Sequence, residues 1–304
     1  MRALVTGGAG FIGSHLVDRL IDDGHDVIII DNLSTGKEEN INPKAEFYNR
    51  DISNLYLVDY GIFKGIDVVF HTAAKARVQP SIDDPISFNE VNVTGILNVL
   101  KACVDNGVKR FVYSSSSSVY GNVEQLPTPE DHKLNPMSPY ALQKLIGEQY
   151  CKLYSDVYEL ETVCLRYFNV YGDRMPLDGA YRLVIPIFAY QKLSGSPMTI
   201  NGDGEQRRDF TYVGDVVDAN IKAGFNSKIP IFKCEGDVFN IGNGDNRSVN
   251  QIADMIGGNT MNLLPVKEPK ETLADNEKAY RVLGWKPTMK IEDWMKIYKK
   301  DLGL

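Results

Sequence analysis

A glycine-rich segment near the start of the chain constrains its fold more than any other feature. An apolar run at residues 3–6 leads directly into residues 7–13, which read GGAGFIG. Glycines at positions 7, 10 and 13 allow a tight turn, a close approach of the backbone to a pyrophosphate, and close packing of a helix on a strand. A helix that begins there would offer free N–H groups and the positive end of its dipole to phosphate groups. The segment therefore predicts the first strand–turn–helix unit of a dinucleotide-binding domain.

The first half of the chain alternates short apolar runs with helix-like stretches. Runs rich in β-branched residues are typical of buried strands, which we predict at residues 3–6, 27–30, 68–71, 111–114 and 163–166. Helices are predicted at residues 14–23, 88–105 and 140–158. Strands that alternate with helices form right-handed βαβ units. The predicted fold class is therefore α/β, with a Rossmann-type doubly wound parallel sheet.

The pattern becomes irregular past Asn169, where turn signals such as NGDG at residues 201–204 appear. We therefore predict a cofactor-binding domain over residues 1–168, to which a segment near 212–243 returns. Residues 169–304 would form a smaller, discontinuous C-terminal domain that binds the substrate. No linker-like stretch separates the two parts, so we expect them to pack closely.

The composition is that of an ordinary globular chain, with 304 residues, 43% hydrophobic residues and a net charge of −7. An acidic chain without a basic cluster is poorly suited to nucleic acid, whose binding depends on neutralising phosphates. No apolar run approaches the roughly 18 residues of a membrane span, and no signal peptide is recognisable. The four cysteines form no C-x-x-C pair, which predicts neither a zinc site nor disulfides. We expect a cytoplasmic protein that binds no metal, nucleic acid or membrane.

An acidic residue stands where a dinucleotide-binding domain has its ribose ligand. Asp31 follows the second predicted strand and lies 18 residues after Gly13. This is close to the spacing of about 20 residues at which a carboxylate binds the adenosine ribose diol. Because a carboxylate would repel a 2′-phosphate, the predicted cofactor is NAD rather than NADP.

Tyr140 and Lys144 are four residues apart at the start of a predicted helix, so both side chains lie on one face. A nearby ammonium favours phenolate, and we expect Lys144 to lower the pKa of Tyr140, which can then act as a general base. A serine-rich segment, residues 114–118, follows another predicted strand. Ligands of open α/β sheets bind beyond the carboxyl ends of the strands. A hydroxyl of this segment is therefore expected beside Tyr140.

Ordered motifs extend over nearly the whole chain. They read VTGGAGFIGSH at 5–15, DNLSTG at 31–36, HTAA at 71–74, SSSSVYG at 115–121, SPYALQK at 138–144, LRYFNVYG at 165–172, GDGEQRRDF at 202–210 and LGWKP at 283–287. Together they resemble the extended short-chain dehydrogenases/reductases, and among these the UDP-sugar 4-epimerases. The resemblance implies an isomerase with tightly bound NAD and a UDP-sugar substrate.

The resemblance assigns a role to residues of each motif. Tyr140 would be the catalytic base, Ser116 would hydrogen-bond the substrate beside it, and Lys144 would bind the nicotinamide ribose. The other residues implied in cofactor binding are Gly7, Gly10, Phe11, Ile12, Gly13, Asp31, Asn32, Ser34, Thr35, Gly36, Asp51, Ile52, Thr72, Ala73, Ala74 and Phe168. Those implied in substrate binding, besides Ser116, are Asn169, Leu183, Val184, Thr199, Asn201, Arg208 and Thr272. Arg208 would hold the diphosphate, to which a guanidinium fork is suited.

The implied reaction begins when Tyr140 removes the proton of the sugar 4-hydroxyl while hydride leaves C4 for NAD. The 4-keto sugar then turns about its diphosphate link and receives the hydride on its other face. The cofactor is regenerated in each turnover and can stay bound. The expected substrates are UDP-glucose and UDP-galactose, together with UDP-GlcNAc and UDP-GalNAc.

Sibling activities differ at single positions. The 4,6-dehydratases and UDP-glucuronate decarboxylases carry a glutamate two residues before the tyrosine of VYG, where this chain has Ser118. UDP-glucuronate 4-epimerase, which typically has threonine in place of Asn169, is the first alternative. A non-catalytic NAD-binding regulator is the alternative from a different class. It is opposed by the joint presence of Ser116, Tyr140 and Lys144.

The chain departs from the family pattern near its C-terminal end. The family has an arginine in R-x-G-E before T-x-A-D, whereas residues 265–268 read PVKE. A second diphosphate-binding arginine is therefore absent, and Lys267 is its candidate substitute. In the family, the residue two before the A-D of T-x-A-D lies against the hexose, and a tyrosine there leaves little space at the sugar 2-position. This chain has Thr272 at that position, so the resemblance implies room for a 2-acetamido group. Residues 174–181 also resemble the branch that acts on UDP-N-acetylhexosamines.

Two predicted helical regions, residues 91–103 and 142–154, each carry an apolar stripe. In the family, the corresponding helices form a four-helix interface between two subunits. The resemblance therefore implies a homodimer.

Overall fold

The structure is a computed structural model that describes residues 1–55, 59–175, 183–225, 237–266 and 268–304. Its strands are β1 (Arg2–Thr6), β2 (Asp26–Asp31), β3 (Glu46–Asn49), β4 (Val68–His71), β5 (Arg110–Ser116), β6 (Glu161–Tyr167), β7 (Asn169–Tyr171), β8 (Met198–Asn201), β9 (Arg207–Tyr212), β10 (Asp237–Ile241), β11 (Asn246–Ser248) and β12 (Thr260–Leu263). Its α-helices are α1 (Phe11–Asp22), α2 (Val78–Asp83), α3 (Pro85–Asn89), α4 (Ile96–Asp105), α5 (Pro139–Tyr158), α6 (Val184–Leu193), α7 (Val213–Phe225), α8 (Val249–Ile256) and α9 (Ile291–Leu302).

Seven parallel strands form the large sheet, in the order β10-β6-β5-β4-β1-β2-β3. The strand order reverses between β1 and β4, which is the topological switch point of a doubly wound sheet. The five strands predicted in the first half of the chain correspond to β1, β2, β4, β5 and β6. The Rossmann-type α/β fold predicted from the sequence is confirmed.

Helices cover both faces of this sheet. Because successive strand residues point to opposite faces, Val5 and Ile29 pack with Leu16 of α1 in one core cluster. Leu4 and Ile28 pack in a second cluster with residues of α4 and α5. Strands that are buried on both faces are continuous apolar runs, which is why the sequence pattern revealed them.

Two strands of the large sheet were not predicted. β3 forms one edge, and its sequence EFYN is half-buried or exposed, so it shows no apolar run. β10 forms the other edge and pairs with β6 across a long sequence separation. The segment 212–243 thus contributes α7 and β10 to the N-terminal sheet and its core.

The helix predicted over residues 88–105 is interrupted. α3 leads into a π-helical segment, Glu90–Gly95, before α4 begins. A Cβ at Gly95 would lie 2.8 Å from Cδ1 of Ile52. Glycine therefore allows this helical region to pass directly against the turn that contains Ile52.

The C-terminal part has a core of its own. β7, β9 and β11 form a three-stranded sheet, and β8 pairs with β12. Tyr171, Phe188, Phe210, Ile252 and Trp294 belong to the apolar cluster that joins these strands to α6, α8 and α9. Within the described residues, no helix has both the length and the apolar character that crossing a membrane would require.

Candidate active site

The glycine segment forms the turn between β1 and α1. The Gly7 N–H donates to the Ile30 carbonyl over 2.8 Å, and the Gly10 N–H donates to the Gly7 carbonyl over 3.0 Å. Gly7 has a φ of +73°, a conformation that favours glycine. A Cβ at Gly13 would lie 2.1 Å from the Gly7 carbonyl oxygen, so α1 begins directly against the turn. This close packing brings the N-terminus of α1 to the carboxyl edge of the sheet, where it can receive phosphate.

Asp31 fastens the end of β2 to this turn. Its carboxylate accepts hydrogen bonds from the N–H groups of Ala9, over 3.0 Å, and of Leu33, over 2.8 Å. Burial raises the pKa of Asp31, although these two hydrogen bonds act to lower it. A Cβ at Gly36 would lie 3.0 Å from both carboxylate oxygens. The carboxylate is thus fixed in position. Because it accepts only these two hydrogen bonds from the backbone, its oxygens can accept further hydrogen bonds from a ribose diol.

The predicted cofactor residues that follow β2 and β3 also come together. The Asn32 amide donates to the Asp51 carboxylate over 2.8 Å. Asp51 in turn accepts from the Ser53 N–H over 2.8 Å and caps the turn that contains Ile52. The Ile52 carbonyl accepts from the Asn98 side chain over 3.0 Å. These bonds join the loops after β2 and β3 into one rim.

A hydrogen-bond chain links the carboxyl ends of β1 and β4. The Thr72 hydroxyl donates to the Thr6 carbonyl over 2.7 Å, and the Ala73 N–H donates to the Thr6 hydroxyl over 3.3 Å. His71 Nδ1 lies 2.9 Å from the same hydroxyl, and burial lowers the pKa of His71 to about 3, so the ring is neutral. The other predicted cofactor residues lie in α1, in the loops after β2 and β4, and directly after β6: Phe11, Ile12, Ser34, Thr35, Gly36, Ala74 and Phe168. The glycine turn, the fixed Asp31 and this edge together fit a dinucleotide.

The predicted catalytic side chains converge beyond β5. Ser138 caps α5 by accepting from the Ala141 N–H over 3.2 Å, which places Tyr140 in the first turn of the helix. The Ser116 side chain lies next to the Tyr140 phenol and acts to lower its pKa. Lys144 Nζ lies 5.9 Å from the centre of the Tyr140 ring and donates to the Ser114 carbonyl over 2.7 Å. The three residues therefore form one site at the carboxyl edge of the sheet.

The expectation that Lys144 lowers the pKa of Tyr140 stays a prediction. Burial raises the pKa of Tyr140, and this outweighs the lowering by Ser116 and by the guanidinium of Arg77. Burial also lowers the pKa of Lys144 to about 8, although Glu148 acts to raise it. The loss of hydration destabilises the charged forms of both groups. That loss is a property of the folded environment, which the spacing of the two residues does not report.

A cleft beside this site contains part of the predicted substrate set. Among the residues that line it are Asn169, Leu183, Val184 and Arg208, all of them predicted, and Arg77 and Glu268, which were not. The Arg208 guanidinium lies 2.6 Å from the Glu268 carboxylate. Arg77 follows β4 at the carboxyl edge, which is the signal that could have revealed it. Glu268 occupies the acid position of the R-x-G-E pattern.

Besides Ser116, three predicted substrate residues do not line the cleft. Thr199 is engaged with Gln191, whose amide donates to the Thr199 hydroxyl over 2.8 Å. Asn201 ends β8 and is exposed. The Thr272 hydroxyl accepts from the Asp209 N–H over 3.2 Å, next to the strand that carries Arg208. Their roles stay predictions, and Lys267 and residues 176–181 lie outside the described residues.

The fold and the site define a class of protein, the nucleotide-cofactor enzymes with a doubly wound sheet and a tyrosine–lysine–serine site. The model of the NAD dependent epimerase/dehydratase family matches residues 3–242. The chain belongs to this family. The prediction of an enzyme that uses NAD is confirmed.

Individual relatives match over almost their whole length. The UDP-glucose 4-epimerase of Mycolicibacterium smegmatis is 38% identical over 306 residues, which cover 96% of this chain and 96% of the relative. The crystal structure of UDP-glucose 4-epimerase from Thermotoga maritima with UDP-glucose has a TM-score of 0.90 and 38% identity, covering 99% of this chain and 100% of that one. The UDP-N-acetylglucosamine 4-epimerase of Methanobrevibacter ruminantium, in complex with UDP-N-acetylmuramic acid, has a TM-score of 0.90 and 37% identity, covering 97% and 96%.

Proposed function

We propose that this chain epimerises UDP-hexoses at C4 with NAD as its cofactor. The observation that carries the proposal is the convergence of Ser116, Tyr140 and Lys144 next to a dinucleotide-binding edge. The adjoining cleft supplies Arg208 and Asn169 for the nucleotide. The close relatives named as UDP-glucose 4-epimerases support the same activity.

Each residue of the site has a separate role in the proposed reaction. The glycine turn and Asp31 would hold NAD, which would supply the acceptor and the donor for the hydride of sugar C4. Tyr140 would accept the proton of the 4-hydroxyl and later give it back, and Ser116, which lies next to the phenol, would orient that hydroxyl. Lys144 binds the nicotinamide ribose from its position beside Ser114. The 4-keto sugar must turn between the two hydride transfers, so the UDP part is held by Arg208 and the hexose only loosely.

The activity is tested with purified protein, UDP-glucose or UDP-galactose, and no added reductant. We expect interconversion of the two sugars and recovery of NAD from the denatured protein. Tyr140→Phe should reduce kcat by at least about a hundredfold, the usual contribution of a positioned general base. Tyr158→Phe is the matched control, because Tyr158 lies on the same helix and is 49% exposed. Wild-type turnover in Tyr140→Phe would contradict the assigned base, and NAD without sugar interconversion would favour a regulatory role.

We further propose that the hexose pocket accepts UDP-GlcNAc and UDP-GalNAc. Thr272 is much smaller than tyrosine, and one structural neighbour is named as a UDP-N-acetylglucosamine 4-epimerase. Thr272→Tyr should depress turnover of UDP-GlcNAc about ten- to a hundredfold more than that of UDP-glucose, since overpacking costs about 1–3 kcal/mol. Thr272→Val is the matched control, because it removes the hydroxyl bonded to Asp209 without filling space. Equal losses on both sugars, or a wild type inactive on UDP-GlcNAc, would contradict the assignment.

A homodimer and a cytoplasmic location belong to the same proposal. Leu142 and Leu153 of α5 are 48% and 49% exposed, which leaves apolar surface for a second copy of the helix pair α4 and α5. The dimer is tested by light scattering of the purified protein, where a mass of one chain would contradict it. Fractionation of cells is the matching test of location.

A further inference from the structure

Three polar side chains that have no role in the proposed reaction are buried in the interior. Tyr120 is 2% exposed, Arg166 is 3% exposed and Asn240 is fully buried. Burial of a polar group costs free energy unless the group is hydrogen-bonded, and burial of a charge costs more. The partners of these side chains therefore show what keeps them inside the fold.

Arg166 joins the catalytic helix to Tyr120. Its Nε and Nη2 atoms donate to the two oxygens of the Glu148 carboxylate, each over 2.8 Å. Glu148 lies on the same face of α5 as Tyr140 and Lys144, because these residues are spaced four apart. The Nη1 atom donates to the Tyr120 hydroxyl over 2.8 Å, and the guanidinium lies 4.7 Å from the centre of the Tyr120 ring. Because a bidentate pair has a fixed geometry, Arg166 holds Tyr120 at a set distance from α5.

Asn240 continues this connection into the C-terminal part of the chain. The Tyr120 hydroxyl donates to Oδ1 of Asn240 over 2.7 Å. The amide nitrogen of Asn240 donates to the carbonyls of Thr128, over 2.9 Å, and of Asp275, over 3.0 Å. The Asp275 N–H donates to the same Thr128 carbonyl over 3.0 Å. Asn240 thus fastens residues 272–275 to the loop that follows Tyr120.

Residues 272–275 are in turn bonded to β9 on both sides of Arg208. The Thr272 N–H donates to the Arg207 carbonyl over 3.1 Å, and the Thr272 hydroxyl accepts from the Asp209 N–H over 3.2 Å. Arg208 lies between these two contacts and lines the cleft. Buried hydrogen bonds and one short backbone segment therefore connect α5 to the strand that carries Arg208.

We propose that Tyr120, Arg166 and Asn240 are positioning residues that set the distance between α5 and β9. The proposal rests on the proposed function, in which α5 provides the base and β9 provides the ligand of the diphosphate. Because the two elements hold the two ends of one substrate, their separation decides whether the sugar 4-hydroxyl meets Tyr140. A misplacement of about 1 Å can reduce turnover about a hundredfold. The three residues act through α5 and β9 and not on the sugar itself.

Tyr120→Phe removes the one hydroxyl that joins Arg166 to Asn240, and it keeps the ring and the pair of Arg166 with Glu148. We expect kcat for UDP-galactose to fall about tenfold, because the two ends of the substrate are no longer held at the right distance. The NAD content and the Kd of UDP, measured by calorimetry, should be those of the wild type, since UDP alone is held by one end only.

Tyr167→Phe is the matched control for this variant. Tyr167 is also buried, and its hydroxyl also has two side-chain partners, Ser114 and Asn220. Its loss removes hydrogen bonds of the same kind, none of which leads to β9. Tyr167→Phe should therefore keep the kcat of the wild type. An equal loss of kcat in both variants would overturn the proposal, as would a loss confined to the binding of UDP.

A second measurement does not depend on activity. In crystal structures of the NAD-loaded proteins superposed on the large sheet, the Cα atom of Arg208 should move by roughly 1 Å in Tyr120→Phe. It should stay in place in Tyr167→Phe. An unmoved Arg208 in Tyr120→Phe would overturn the proposal. A chain without epimerase activity in which Arg208 still moves would refute the proposed function and leave the positioning by Tyr120 standing.

Discussion

Replacement of Gly13 by alanine tests the turn on which the cofactor site depends. The added Cβ would lie 2.1 Å from the Gly7 carbonyl oxygen and 2.8 Å from the Thr72 hydroxyl. The closest neighbour is backbone, which cannot rotate away as a side chain can. Overpacking costs about 1–3 kcal/mol, of which alanine recovers about 0.5–1 kcal/mol as the better helix former. Because the clash is with backbone, its cost should lie in the upper half of that range, so we expect a net loss of about 1–2.5 kcal/mol in the free energy of unfolding and a Tm lower by roughly 2–4 °C.

The assay combines calorimetry of the cofactor-free protein with the NAD content of the protein as purified. Gly13→Ala should unfold earlier and carry less NAD, because relief of the clash moves the Gly7 turn away from the pyrophosphate position. Gly61→Ala is the matched control, since a Cβ there would meet nothing within 4 Å. A Gly13→Ala protein with the Tm and NAD content of the wild type would refute the reasoning. An equal loss in Gly61→Ala would show that the contact at Gly7 is not the cause.

Two further predictions concern buried carboxylates. Asp209 accepts hydrogen bonds from three backbone N–H groups, so Asp209→Asn should lower the free energy of unfolding by about 1–3 kcal/mol in urea. Burial raises the pKa of Asp209 to about 6, so the folded protein binds the carboxyl proton of Asp209 more tightly than the unfolded chain does. The contribution of Asp209 to the free energy of unfolding therefore falls as the pH rises from about 4 to 6. Asp209→Asn should abolish that slope, and a variant that keeps it would contradict the assignment. Glu148 accepts two hydrogen bonds of 2.8 Å from Arg166, so Glu148→Gln should lower the free energy of unfolding by about 3–5 kcal/mol. Glu148 also acts to raise the pKa of Lys144, so in the folded variant Lys144 should lose its charge at a lower pH. The alkaline limb of the kcat–pH profile measures this shift, and an unshifted limb would contradict it.

Local sequence patterns were sufficient to predict much of the fold. The five inner strands were predictable because each is buried on both faces and therefore forms a continuous apolar run. β3 and β10 were not predictable in this way, because they are edge strands whose residues alternate or mix polar with apolar character. The π-helical segment within the helix predicted over residues 88–105 was equally hidden, since the apolar pattern of that helix does not show it.

The sequence by itself predicted where the cofactor edge lies and which residues we propose for the chemistry. The glycine turn, Asp31 and the pair Tyr140 and Lys144 are set by spacing along one strand or one helix, and spacing is visible in the chain. Only the tertiary structure decided the pKa values and the hydrogen-bond partners of these groups. Burial raises the pKa of Tyr140, and Lys144 is bonded to the Ser114 carbonyl of β5. Desolvation depends on how α5 packs against the sheet in space, and the spacing of residues along the chain does not show that packing.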